Sequence, residues 1–314
     1  MSVLTANQAA IARTAHASER RHRILLHLAA WTAVFTCVLT GIYGFHYYTL
    51  DAAQRALSAK HELLKPGGTI GIRLGITGAI MFCVIFLYAV RRRWRWLGNI
   101  GSTKHWLDFH IVLGLTAPVI ITFHSSFKFG GIAGIAYWIM IVVALSGIVG
   151  RYLYAQIPRS IGSAEMTFNE LQEFSQALTQ RLAKQTLVAA RDLGPLFRST
   201  DARAAQAMST TKILFVMLVG DLSRMFAIWS LRRKALGFFG AIYTLGGILP
   251  SRRRALEDVI ECAKNQASLS SRIAFLSRTR ELFRLWHVVH RPFSYTFAVL
   301  VCIHITVALL FGFS

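Results

Sequence analysis

Apolar residues fall into five long, nearly uncharged stretches. Ile24–Leu50 contains no charged residue, Thr69–Val90 only Arg73, His105–Phe127 only Asp108, Ile132–Leu153 only Arg151 and Leu285–Phe313 only Arg291. A bilayer core asks for about 20 apolar residues in helical form, so the pattern predicts five membrane-spanning helices. The first stretch is too long for a removable signal peptide and lacks the small-residue cleavage site. Residues 155–284 read differently. In 164–190 and 251–284 apolar positions recur at helical spacing among many charges, as in amphipathic helices. Between them lie Ile213–Val219, Met225–Leu231 and Ala235–Leu249, broken by Asp221, Arg224 and the run Arg232–Arg233–Lys234. None of these pieces reaches a full span, which predicts short interfacial or re-entrant helices. No breaker separates 251–284 from the last stretch, so one long helix is expected there. The fold class that follows is an all-α integral membrane protein. A five-span helical bundle carries a basic helical insertion between spans 4 and 5. Its parts are a tail (1–23), spans 1–4 (24–154), the insertion (155–284) and span 5 (285–314).

Composition agrees. The 314 residues are 54% hydrophobic and 16% charged, against about 25% charged in a soluble domain. An ordinary soluble globule and a disordered chain are both excluded. Lys and Arg outnumber Asp and Glu by 35 to 14, a net charge of +21, which by itself would suggest nucleic acid, an anionic membrane or an acidic partner. Placement decides. Residues 1–23, 91–104 and 151–284 fall on one side of a five-span chain and hold twenty-nine of the basic residues. The other side holds Arg55, Lys60, Lys65 and Lys128. The bias predicts a cytoplasmic N-terminus and a periplasmic C-terminus in a bacterial-type inner membrane. It also removes the main support for nucleic-acid binding. Arg252, Arg253 and Arg254 suit anionic lipid heads or a solvated helix face. The four cysteines form no CxxC or CxxCH motif, which excludes a zinc ribbon and covalent haem attachment.

Ionisable side chains at membrane depth are expensive and point to function. Of the eleven histidines, four form a pattern: His110 and His124 in the third stretch, His290 and His304 in the fifth, each pair fourteen residues apart. Fourteen helical residues bring a side chain back to within about 40° of its starting direction, about 21 Å further along the axis. The third and fifth spans run the same way in the predicted topology. His110 is therefore level with His290, and His124 with His304. Two opposed imidazoles are the axial ligand set of a six-coordinate haem iron, and two stacked sets would carry an electron across the bilayer. Flat porphyrins need small residues beside them. Gly114, four residues after His110, and Gly147 and Gly150 in the fourth span qualify, and Pro118 could kink the third span.

The segments HWLDFHIVLGLTAPVIITFH and WHVVHRPFSYTFAVLVCIH resemble the b-type dihaem membrane cytochromes. These comprise the cytochrome b and cytochrome b561 groups and the ferric-reductase/NADPH-oxidase transmembrane domain. The resemblance covers about 100–154 and 285–313. It implies two non-covalent haems b, bis-histidine ligated, within a helical bundle. The chain departs from those families in lacking a Rossmann glycine fingerprint and a PEWY-type quinol motif, so self-contained NADPH oxidation is excluded and a bc-type quinol site has no support.

Other residues carry weaker readings. His287 lies about 100° out of phase with His304 and suits a propionate contact. His27 and His46 could line a quinone pocket or sit at the membrane interface. Arg291, Arg151 and Lys104 suit either propionates or interfacial anchoring, and Ser125 and Ser126 either a haem bond or a helix cap. The expected role is the cytochrome b subunit of a larger oxidoreductase, exchanging electrons with a quinone or an acidic soluble carrier. Two rivals stay open: a quinol-oxidising or metal-reducing haem enzyme with its own substrate site, and a haem-free transporter or assembly scaffold.

Overall fold

The structure, a computed structural model, describes residues 2–91, 94–98, 100–157, 168–184, 193–197, 208–243 and 254–312. Every regular element among them is helical. In chain order these are α1 (Ser2–Thr49), α2 (Ala52–Ala56), α3 (His61–Leu64), α4 (Thr69–Arg91), α5 (Arg95–Gly98), α6 (Thr103–His124), α7 (Gly131–Gln156) and α8 (Phe168–Lys184). A 3-10 turn (Gly194–Phe197), α9 (Thr210–Tyr243) and α10 (Arg254–Phe311) follow. The chain divides into two compact units, one of residues 1–151 and 288–314, the other of 152–287.

Among the described residues, six helical stretches are long and apolar enough to cross a membrane. Five correspond to the stretches read from the sequence, and the sixth is Lys212–Lys234. The expectation of only short pieces in that region is therefore corrected: α9 runs unbroken through Asp221, Arg224 and the 232–234 cations. The charges do not break the helix because they are engaged on its packed side. Asp221 accepts hydrogen bonds from Tyr152 and Gln156, and Arg232 pairs with Glu257. Of the expected lipid-facing run, Arg252 and Arg253 lie outside the described residues, and only the backbone of Arg254 is described. The unbroken sequence pattern from 254 onward does form one helix, 58 residues long.

In the first unit α4 is the central packing element. Gly71, Gly75 and Gly78 line one of its faces at i, i+4 and i+7, the spacing that lets membrane helices approach closely. A Cβ at Gly78 would lie 2.3 Å from Ile121 Cδ1 of α6. The shared apolar core joins Leu74, Met81 and Phe82 to Ala117, Ile120, Met140 and Phe297. Outside it the usual rule is inverted: Trp31, Phe35, Ile42 and Phe45 of α1 are all more than 60% exposed. Lipid, not water, is the solvent such a surface suits.

Cations tie down both turn regions of this unit. Arg55 donates to the carbonyls of Tyr48 (2.7 Å), Leu50 (2.9 Å) and Ser126 (2.6 Å). It thereby holds the end of α1 against the residues that follow α6. Buried Arg91 donates to Gly98 O, Gly101 O and Thr103 Oγ1, fixing the turn into α6. Ser102 caps α6 by accepting from His105 N at 3.2 Å, the usual service of an N-cap serine.

The second unit packs α8, the 3-10 turn, α9 and residues 254–287 of α10. One cluster combines Leu193, Leu196, Ile228, Leu231, Val259, Ile260, Ala263 and Ala267. Another joins Leu171 and Leu178 of α8 to Leu269.

The close backbone approach at Gly71 yields a direct test. A Cβ there would lie 2.1 Å from the carbonyl oxygen of Lys65, and backbone cannot swing aside. Gly71→Ala should destabilise the first unit by about 2 kcal/mol, read as helix loss in mixed-micelle unfolding. Gly78→Ala, which meets only the flexible end of Ile121, should cost less.

Candidate functional site

The first unit brings the histidines of the two patterned helices to two levels. His124 ends α6, and its Nδ1–H donates to the carbonyl oxygen of Gly71 at 2.8 Å. Its ring rests on Gly75, where a Cβ would come within 2.7 Å of Cε1. Facing it is His304 of α10, with ring centroids 6.3 Å apart and planes at 72°.

Fourteen residues earlier on α6, the Nδ1–H of His110 donates to Ile85 O of α4 at 3.2 Å, with the Tyr88 ring 5.2 Å away. His290 meets Ser146 of α7, Nδ1 to Oγ, at 2.7 Å. The Ser146 hydroxyl also lies within hydrogen-bond distance of Val143 O, so either atom of the Ser146–His290 pair can be the donor. Two imidazoles thus have Nδ1 protonated and anchored, on Gly71 and Ile85. In the neutral ring Nε2 then carries the lone pair. This is the tautomer control that metal-bound histidines show.

The same contacts fix the directions of the helices. Gly71 and Ile85 of α4 meet His124 and His110 in reverse order, so α4 and α6 are antiparallel. Thr122 and Tyr137 share a hydrogen bond of 2.9 Å, and Ser146 lies about 13 Å further along α7 toward the His110 level. On α10, His290 meets Ser146, Phe297 meets Phe82 with centroids 4.8 Å apart, and His304 meets His124. The last part of α10 therefore runs parallel to α6.

Open space accompanies these levels. A Cβ added at Gly114 or Gly147 would find no atom within 4 Å. No group of three or more His, Cys, Asp or Glu side chains suited to a metal ion occurs among the described residues. The imidazoles that face each other in direct ring contact are those of His124 and His304.

Several sequence candidates are engaged elsewhere. Ser125 Oγ donates to Thr122 O and Ser126 Oγ to Leu64 O, so both serve the backbone at the end of α6. Lys104 pairs with Glu19 at 2.9 Å. His105 also meets Glu19 and stacks on His22, centroids 3.7 Å apart, while His22 meets Asp108 at 3.2 Å. His105 therefore joins α6 to α1. The Nδ1–H of His287, in the second unit, donates to Phe283 O. His27, His46, Arg151 and Arg291 are exposed.

Sequence reasoning missed Gly71, Gly75 and Ser146. The i, i+4, i+7 glycines of α4 were a legible signal for a close-packed face. Nothing in the sequence ties Ser146 to His290, because a serine in a membrane helix commonly bonds its own backbone.

No family model matches the chain, and neither a curated protein nor a solved structure does.

The anchoring bonds can be tested without reference to any cofactor. In spectra of histidine-labelled protein, Ser146→Ala should shift the Nδ1 resonance of His290 and leave that of His124 in place. Gly75→Ala should do the reverse, since its new methyl displaces only the His124 ring.

Proposed function

We propose that this chain is a transmembrane electron carrier that holds two haems b between α6 and the last part of α10. His110 with His290 would ligate one, and His124 with His304 the other. The observation that carries the reading is the His124–His304 pair. Two imidazoles from separate helices that face each other are the side chains that would hold an iron between them. The observed separation is 6.3 Å. Anchored Nδ1 atoms on two of the four rings, and the open space beside Gly114 and Gly147, support it further.

A bound haem supplies a one-electron iron couple. The protein's part is to present Nε2 lone pairs and hold each ring's azimuth through its Nδ1 bond. It also packs an apolar core beside them, with Leu74 and Phe82 of α4, Ile120 of α6 and Met140 of α7. Arg291, beside His290 and exposed, would meet a propionate. In a cofactor-bearing protein of this kind the ligand type, second-neighbour hydrogen bonds and burial set the potential.

Topology follows from the parallel course of α6 and the end of α10. An odd number of crossings must lie between them, and α10 cannot reverse within one continuous helix. Lys212–Lys234 as a lone extra crossing is incompatible with that direction, so we place α9 at the membrane interface. The N-terminus is then cytoplasmic by the Lys and Arg bias. The basic second unit faces the cytoplasm, where its charge suits an acidic redox partner within a bacterial inner-membrane oxidoreductase, with a quinone as the alternative electron source.

Purified protein should show sharp reduced-minus-oxidised α bands and bind two haems per chain. His110→Ala and His290→Ala should each lose the same haem, and His124→Ala and His304→Ala the other. Full haem retention in all four variants, or a spectrum without α bands, would discard the proposal. Gly114→Phe should leave helix content intact while lowering haem occupancy, because the space it fills is open in the chain itself. Neutralising Arg278 and Arg280 should slow reduction by an acidic carrier and weaken its dependence on salt.

A further inference from the structure

The second unit contains a polar cluster that the electron-carrier reading does not use. Asp221 and Arg224 lie in the middle of an apolar stretch of α9. Asp221 Oδ2 accepts from Tyr152 Oη and Gln156 Nε2, both at 2.7 Å, and Oδ1 pairs with Arg224 at 2.9 Å. Arg224 also donates to Gly220 O, Ala267 O and Ser271 Oγ. Both residues are thereby engaged. Arg272 of α10 is not. It is partly buried next to Asp221, Arg224 and Tyr152, yet its Nε is shielded from solvent with no hydrogen-bond partner among the described residues. Burial, the largest influence, pushes its guanidinium below the ordinary arginine value; Asp221 opposes this and Arg224 adds to it.

The charges do not balance. Among the described residues, two guanidinium groups share one carboxylate whose oxygens are already occupied, leaving one positive charge without a counter-charge. A buried donor left unmade is costly, the more so on a cation. A singly charged anion with several acceptor oxygens would offset both deficits.

The rest of α9 identifies the kind of anion. Phe215, Leu218, Val219, Leu222, Met225 and Phe226 form a stripe at i, i+3, i+4, i+7, each 45–66% exposed. The opposite face buries Ile213, Met217, Ile228 and Leu231. The helix is apolar on both sides, with the polar cluster against its packed face. A ligand that joins one negative charge to long apolar chains matches this arrangement. We propose that Arg272 and Arg224, with the Ser271 hydroxyl, hold the phosphodiester of a membrane phospholipid whose acyl chains lie along the Phe215–Phe226 stripe. Arginine forks suit phosphate oxygens. The site is independent of the haem reading and would stand if that reading failed.

The test uses full-length protein, stripped of lipid in detergent and titrated with phosphatidylglycerol under native mass spectrometry. Wild type should retain one lipid per chain. Arg272→Gln should retain it about tenfold more weakly, as expected on losing a charge-assisted pair. Arg181→Gln, an equal charge loss on exposed α8, should bind like wild type. Circular dichroism checks that each variant is folded. Should Arg272→Gln not fold, Arg272→Lys, which keeps the charge but not the fork, should show intermediate retention. Inorganic phosphate should not displace the lipid. Undiminished retention in the folded Arg272 variant, equal loss in Arg181→Gln, or displacement by inorganic phosphate would each overturn the proposal.

Discussion

An imidazole held at membrane depth has two nitrogens to account for and almost no water to help. In the first unit one nitrogen of each of two histidines is settled by a fixed acceptor, a carbonyl of α4 for His110 and His124, while His290 meets a hydroxyl of α7. That bond fixes the tautomer, the ring azimuth and the nitrogen that keeps a lone pair. Much else in the unit can be read as what this demands. Gly71 must offer its carbonyl, Gly75 must lack a side chain, and α4 must lie close against α6 along its length.

Close packing on one side coexists with room on the other. α4 meets α6 through glycine, whereas α10 reaches the same core through single large side chains, Phe297 on Phe82 and His304 on His124. Gly114 and Gly147 face no atom within 4 Å. A bundle packed equally tightly throughout would have no place for a flat cofactor. This asymmetry suits the proposed function better than a scaffold that only spans the bilayer.

The two ends of the first unit are secured differently from its middle. Arg55 collects three carbonyls where α1 and α6 end, and Arg91 two carbonyls and a hydroxyl where α6 begins. Charge-assisted bonds of this kind hold turns that have few apolar contacts of their own. The network of Glu19, Lys104, His22, His105 and Asp108 links α1 to α6 near the His110 level in the same manner. Lys104, which along the chain suited a propionate or an interfacial anchor, thus acts as a helix-to-helix tie.

The helical class, five of the six long apolar stretches and the paired fourteen-residue histidine spacing were determined by sequence alone. Hydrophobic run length and helical period are local properties, and no tertiary contact is needed to read them. The continuity of α9 was not legible, because Asp221, Arg224 and Arg232 look like breaks until Tyr152, Gln156 and Glu257 are seen to engage them. Nor were the uses of Ser125, Ser126 and Lys104, or the service of Ser146. Each depends on which of several competent partners lies within 3 Å, and residues distant in sequence decide that. The tertiary structure alone set His304 opposite His124 and the end of α10 parallel to α6, since relative direction and height are properties of pairs of helices and of no single one.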